Sequence, residues 1–81
     1  MERVSTTVQK ITENGPLNTK NANEMAFINS GATEIFINNV KIGPGQTLTI
    51  GHHFNEIDIT QYNVRALSGF ELTLITKIYH K

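Results

Sequence analysis

Residues 34–50, EIFINNVKIGPGQTLTI, restrict the fold more than any other stretch. Apolar residues alternate on both sides of Asn38-Asn39, the period of a strand with one buried face. Asn is the non-glycine residue that best tolerates positive φ, so Asn38-Asn39 predicts a two-residue type I′ hairpin turn. Such a turn sets Ile37 opposite Val40 and Ile35 opposite Ile42, all four on one face and expected in the core. A slip of one residue would turn the whole set to solvent, so the register is strongly specified. Gly43-Pro44-Gly45-Gln46 predicts a second reversal, with Pro44 presetting φ and Gly45 suited to the third position of a type II turn.

The same period runs through most of the chain. VSTTVQKIT (4–12) predicts a strand with Val4, Thr6 and Val8 on one face; Ile11 breaks that parity, which predicts a bulge near Gln9-Lys10 or the end of pairing. ENGPLNTKNAN (13–23) is expected to be a turn followed by surface loop. EMAFINS (24–30) is apolar on both faces, as in a central covered strand or one at a subunit contact. TLTI (47–50) directs Leu48 and Ile50 inward. GHHFN (51–55) predicts a loop, and EIDIT (56–60) a strand with Ile57 and Ile59 on one side and Glu56 and Asp58 facing solvent. QYNVRAL (61–67) alternates Tyr62, Val64 and Ala66 inward. FELTLITKIYHK (70–81) directs Phe70, Leu72, Leu74, Thr76 and Ile78 inward, and Ile75 and Tyr79 outward. Helical periodicity is missing beyond about two turns. Together these features predict one all-β domain over residues 1–81, a small antiparallel β-sandwich of about seven or eight short strands, immunoglobulin-like or jelly-roll-like.

Composition narrows the function. The chain has 81 residues and no cysteine, which removes disulfides and thiolate metal sites as supports for a small core. Association with itself or with a larger partner is the remaining route to added stability. Seven basic and seven acidic side chains give zero formal net charge, and the cations are scattered. Nucleic-acid binding rests on clustered phosphate-neutralising cations, so no nucleic-acid partner is expected. No apolar run nears the ~20 residues of a membrane helix, so no membrane partner is expected. MERVSTTVQK lacks the apolar core of a signal peptide, which predicts a protein used without secretion by the usual route.

Few groups suit catalysis. Ser5, Ser30 and Ser68 sit in strand or turn contexts without a nucleophile elbow, and His80, next to last, is expected to fray. His52 and His53, with Glu56 or Asp58 nearby, could supply metal ligands. Neighbours on an extended chain point to opposite sides, so a surface loop is the preferred reading, with no metal and no cofactor. Gly43-Pro44-Gly45 lacks the Lys-Ser/Thr and helix of a phosphate loop. Phe36, Phe54, Ile75 and Tyr79 are the outward apolar residues and the candidate partner contacts; a covering loop such as 13–23 is the other reading.

INSGATEIFINNVKIGPGQTLTI, EIDITQYNVRAL and FELTLITKIYHK together resemble small structural proteins of tailed bacteriophages: capsid-decoration, auxiliary capsid or head-fibre proteins. The resemblance covers roughly residues 24–79 and rests on an asparagine-turn hairpin, a PG-x-(T/S) turn and a Y-x-(V/I) strand. It implies a non-enzymatic virion protein, made in the host cytoplasm and placed on the capsid surface. Its implied partners are the major capsid protein or other virion proteins, with a homo-oligomer (trimer or dimer) expected by analogy. V-x-I-x-PG hairpins also occur in carbohydrate-binding and adhesive sandwiches, so a carbohydrate- or protein-binding module is the alternative. The lack of Trp weakens a sugar site.

Overall fold

The computed structural model describes residues 3–52, 56 and 58–80. Eight strands form: β1 (Arg3–Ile11), β2 (Gly15–Leu17), β3 (Glu24–Asn29), β4 (Ile35–Ile37), β5 (Val40–Ile42), β6 (Thr47–Gly51), β7 (Tyr62–Arg65) and β8 (Leu72–His80). They build two four-stranded antiparallel sheets, ordered β1-β8-β3-β6 and β2-β7-β4-β5. The chain pairs with itself from the ends inward: β1 with β8, β2 with β7, β3 with β6 and β4 with β5. The β3–β8 and β4–β7 ladders then close each sheet. An eight-stranded hairpin rolled up in this way is a jelly roll.

The central hairpin has the expected register, with Ile35 opposite Ile42 and Ile37 opposite Val40. Asn38 and Asn39 both take positive φ, at 46° and 72°, as a type I′ turn requires. Gln46 N–H donates to Gly43 C=O at 3.0 Å and Gly45 has φ 78°, which makes 43–46 the expected type II turn. Val40 departs from expectation in burial only: it is 48% exposed, because β5 is an edge strand and Val40 lies at the hairpin's open tip.

Phe27, Ile35, Ile37, Leu72, Leu74 and Val64 fill the space between the sheets, with the Phe27 and Tyr62 rings tilted at 5.2 Å. Aromatic pairs in this geometry add attraction beyond area burial. Tyr62, Val64 and Ala66 are buried as their alternation predicts. β3 is a central strand, with Met25 and Phe27 in the core and Ala26 and Ile28 half-buried on the outer side.

Four further expectations fail for physical reasons. β1 pairs with β8 without interruption from Arg3 to Ile11, so there is no bulge. Instead Thr7, Gln9 and Ile11 face inward, and Val4 and Val8 are the outward set, 52% and 63% exposed. The 13–23 stretch is more than loop: Gly15–Leu17 pairs with β7, and Leu17, Thr19 and Ala22 are buried. Pro16 is tolerated there because β2 is an edge strand, where a missing N–H costs no ladder bond. His80 is held in β8, its Nε2 2.8 Å from Ser5 Oγ across the ladder. The 56–60 segment forms no strand among its described residues: Asp58 is buried and Ile59 is 84% exposed, the reverse of the predicted faces.

Candidate functional site

The two outer faces of the sandwich differ in chemistry. Pleating brings Val4, Val8, Ala26, Ile28, Ile75 and Tyr79 onto the outer face of the β1-β8-β3-β6 sheet. Register sets Val8, Ile75, Ala26 and Thr49 in one row across all four strands, and Val4 beside Tyr79 in another. Between them runs a row of Thr6, Lys77 and Glu24. The small side chain of Ala26 leaves a shallow pocket of about 80 Å³, lined by Ala26, Thr49 and Ile75 with Glu24 and Lys77 at its rim. An apolar floor with a charged rim is the build of a protein contact patch.

The opposite outer face is mostly polar. It presents Pro16, Asn63, Arg65 and Lys41 around one aromatic ring, Phe36. Phe36 is half-buried, and the Arg65 guanidinium lies 4.8 Å from its centroid, a cation–π contact between cross-strand neighbours. Lys41, opposite Phe36 on β5, is engaged with Glu34 at 3.1 Å.

Of the four candidate contact residues, the structure therefore unites Ile75 and Tyr79 on one face and sets Phe36 on the other. Phe54 lies outside the described residues. Val4 and Val8 join the apolar face, and the parity break at Ile11 already carried that signal, because an inward Ile11 forces them outward.

The histidine segment has a structural use. Asp58 is 6% exposed and accepts from Tyr62 Oη at 2.7 Å and from Thr60 N–H at 2.8 Å. His52 Nε2 lies 2.9 Å from the same carboxylate. Burial pushes the Asp58 pKa up, but the bonds from Tyr62, His52 and Thr60 outweigh it and hold the carboxyl well below the usual range. Burial, and then the bond to Asp58, raise the Tyr62 phenol. The expectation that Asp58 faces solvent is thus overturned: without a strand at 56–60, its carboxylate folds inward to meet the phenol of Tyr62. His53 lies outside the described residues, and among the described ones no three His, Asp or Glu side chains converge on a metal-sized site.

Comparison with protein families, with curated proteins and with solved structures finds no match to this chain.

Proposed function

We propose that this chain is a non-enzymatic structural protein of a virion, docked on the capsid lattice through the outer face of its β1-β8-β3-β6 sheet. The observation that carries this reading is the apolar row Val8–Ile75–Ala26 with its shallow pocket, flanked by Val4 and Tyr79. The sequence resemblance supplies the kind of partner. The jelly roll adds support by analogy alone, since viral shell proteins, lectins and cupins all use it.

The mechanism is added buried area. Four strands about 4.8 Å apart and about 20 Å long offer roughly 400 Å² of face. A standard interface buries roughly 800 Å² per partner, so one copy binds weakly and the lattice supplies avidity. Binding only to the assembled state then stabilises that state by mass action.

Protein identification in purified particles tests the reading, and absence of the chain from particles overturns it. Ile75→Glu puts a charge in the middle of the row while leaving the core untouched, and is expected to abolish incorporation. Phe36→Ala, on the far face, is expected to leave incorporation unchanged.

A further inference from the structure

The sandwich has four sheet edges; two of them are blunted, and a third is little more than half as long as β1. β2 is three residues long and contains Pro16 and Gly15. β5 is three residues long with Lys41 at its centre, engaged with Glu34. β6 has five residues and ends on Gly51. Short edges, Pro and charged side chains are how sheet proteins avoid pairing with other chains.

β1 has none of these defences along most of its length. It is nine residues long, pairs with β8 on one side only, and contains no Gly, Pro or bulge. In an antiparallel ladder alternate residues aim both N–H and C=O at the same neighbour. Half of the β1 backbone groups therefore point away from β8 into the open edge. β-branched residues dominate the strand: Val4, Thr6, Thr7, Val8 and Ile11. Of its two cations, Arg3 is at the end, and Lys10 is drawn to Glu71 at 3.1 Å.

We propose that this edge pairs with β1 of a second copy of the chain, antiparallel about a two-fold axis at Thr6, to form one eight-stranded sheet. The pattern of the strand is self-complementary in that register. Val4 faces the partner's Val8, Ser5 faces the partner's Thr7, Arg3 faces the partner's Gln9, and Thr6 faces the partner's Thr6. No charge meets a like charge, and apolar meets apolar on the outer face. A centre on an outward residue also keeps both second sheets on the same side. The two apolar outer faces then join across the seam, which raises the continuous face from roughly 400 Å² to roughly 800 Å², the area a standard interface needs on one side. The pairing rests on the edge itself and stands whether or not the assembly it serves is a virion.

Sedimentation velocity of the full chain over a range of concentrations tests the proposal, with twice the monomer mass expected at the upper end. Thr6→Glu is the informative variant. Within one copy the new carboxylate lies beside Lys77, its cross-strand neighbour, so the fold is supported. Across the axis it faces itself, and at least roughly tenfold weaker association is expected. Mixing Thr6→Glu with Thr6→Lys places opposite charges at the axis and is expected to restore the dimer. In the wild type, amide exchange in β1 is expected to slow with rising concentration. A wild-type monomer at millimolar concentration, a trimer, or a dimer that Thr6→Glu leaves intact would each overturn the proposal.

Discussion

Each end of β3 is closed by a buried asparagine, and the two closures are built from different chemistry. At the C-terminal end Asn29 is fully buried, and its Nδ2 donates to Thr33 C=O at 2.8 Å and Ile42 C=O at 3.0 Å. Its Oδ1 accepts from Gly31 N–H at 3.2 Å, and its backbone bonds to Gln46 and Gly45. One side chain thus ties β3 of the first sheet to β5 of the second and shapes the connection between them. At the N-terminal end Asn23 accepts from Tyr79 N–H at 2.8 Å and donates to Glu56 C=O. Its backbone bonds to Lys77 and His52, and beyond it lies the Asp58 cluster. The Asn29 closure is made of amides and carbonyls alone. The Asn23 closure leads into a carboxylate, an imidazole and a phenol. The hydrogen bonds that close one end therefore involve no titratable side chain, and those that close the other lead to two that shift, Asp58 and Tyr62.

Removing Asn29 is expected to give the largest loss. Asn29→Ala leaves Gly31 N–H and the carbonyls of Thr33 and Ile42 without their side-chain partner, at about 1–3 kcal/mol for each buried unpaired group. A loss of about 4 kcal/mol is a large share of the 5–15 kcal/mol typical of a domain. The loss is expected to be the same from about pH 4 to about pH 9, because none of the groups bonded to the Asn29 side chain titrates. Chemical denaturation across that range checks both points. A pH-dependent loss would show that the two ends are not separable.

Asp58→Asn is expected to cost less, about 2 kcal/mol at neutral pH, the scale of hydrogen bonds to a charged group. The sign of its pH dependence follows from linkage. The Asp58 pKa is lower folded than unfolded, so its contribution is complete above the unfolded value near 4 and fades as pH falls toward the folded value. The wild-type advantage over Asp58→Asn should therefore be greatest above about pH 5 and shrink in acid. Tyr62 gives the alkaline counterpart. Its raised pKa stabilises the fold below about pH 10, and that contribution is lost as pH rises through the folded value. Thermal melts of both proteins at a series of pH values test this, and parallel curves would remove Asp58 from the pH response.

Gly31→Ala probes the Asn29 end by sterics rather than polarity. A Cβ on Gly31 would lie 2.9 Å from the Glu71 backbone nitrogen and 3.3 Å from its Cβ. Ser30, next to it, bonds to Glu71 through its backbone N–H at 3.1 Å, so the two chains cannot easily separate. About 1–3 kcal/mol of destabilisation is expected from overpacking against backbone. Urea midpoints measure it, and a shift near zero would mean that this end yields more readily than its bonds imply.

How far each end was legible in the sequence follows the same division. The elements around Asn29 rest on local signals: Asn38-Asn39 fixes a two-residue turn, Pro44-Gly45 fixes another, and period two does the rest. Local chemistry and global fold agree there, so residues 34–50 could be read register by register. The Asn23 end depends on contacts distant in sequence. Asn23 bonds to Glu56 and Tyr79, 33 and 56 residues away, and although Glu-Ile-Asp-Ile-Thr alternates as a strand would, the carboxylate of Asp58 turns inward to the polar groups of Tyr62 and His52. A hydrogen-bonded buried carboxylate overrides a pattern that only describes hydrophobicity. The contact face was half legible for a related reason. Outward Ile75 and Tyr79 follow from the parity of β8, whereas β1 carries apolar residues of both parities, and only pairing decides which set is buried.

Thr76 offers the smallest change, with the opposite sign. It faces inward on β8 between Thr7 and Met25, 1% exposed, toward the Asn23 end of the sheet. Among the described residues its Oγ1 is the one buried side-chain polar atom without a hydrogen-bond partner. A hydroxyl in that position forfeits its bonds to water on folding and regains none, while a methyl of similar shape forfeits nothing. Val is also at least as good a strand residue as Thr, being β-branched and apolar. Thr76→Val is therefore expected to stabilise the protein by about 1 kcal/mol, which for a domain of this size raises the melting temperature by about 4–8 °C. Asn29→Ala and Thr76→Val act at opposite ends with no shared partner, so in the double variant the two effects should add. An unchanged or lower melting temperature for Thr76→Val would mean that the hydroxyl is satisfied, and that the Asn23 end is as completely bonded as the Asn29 end.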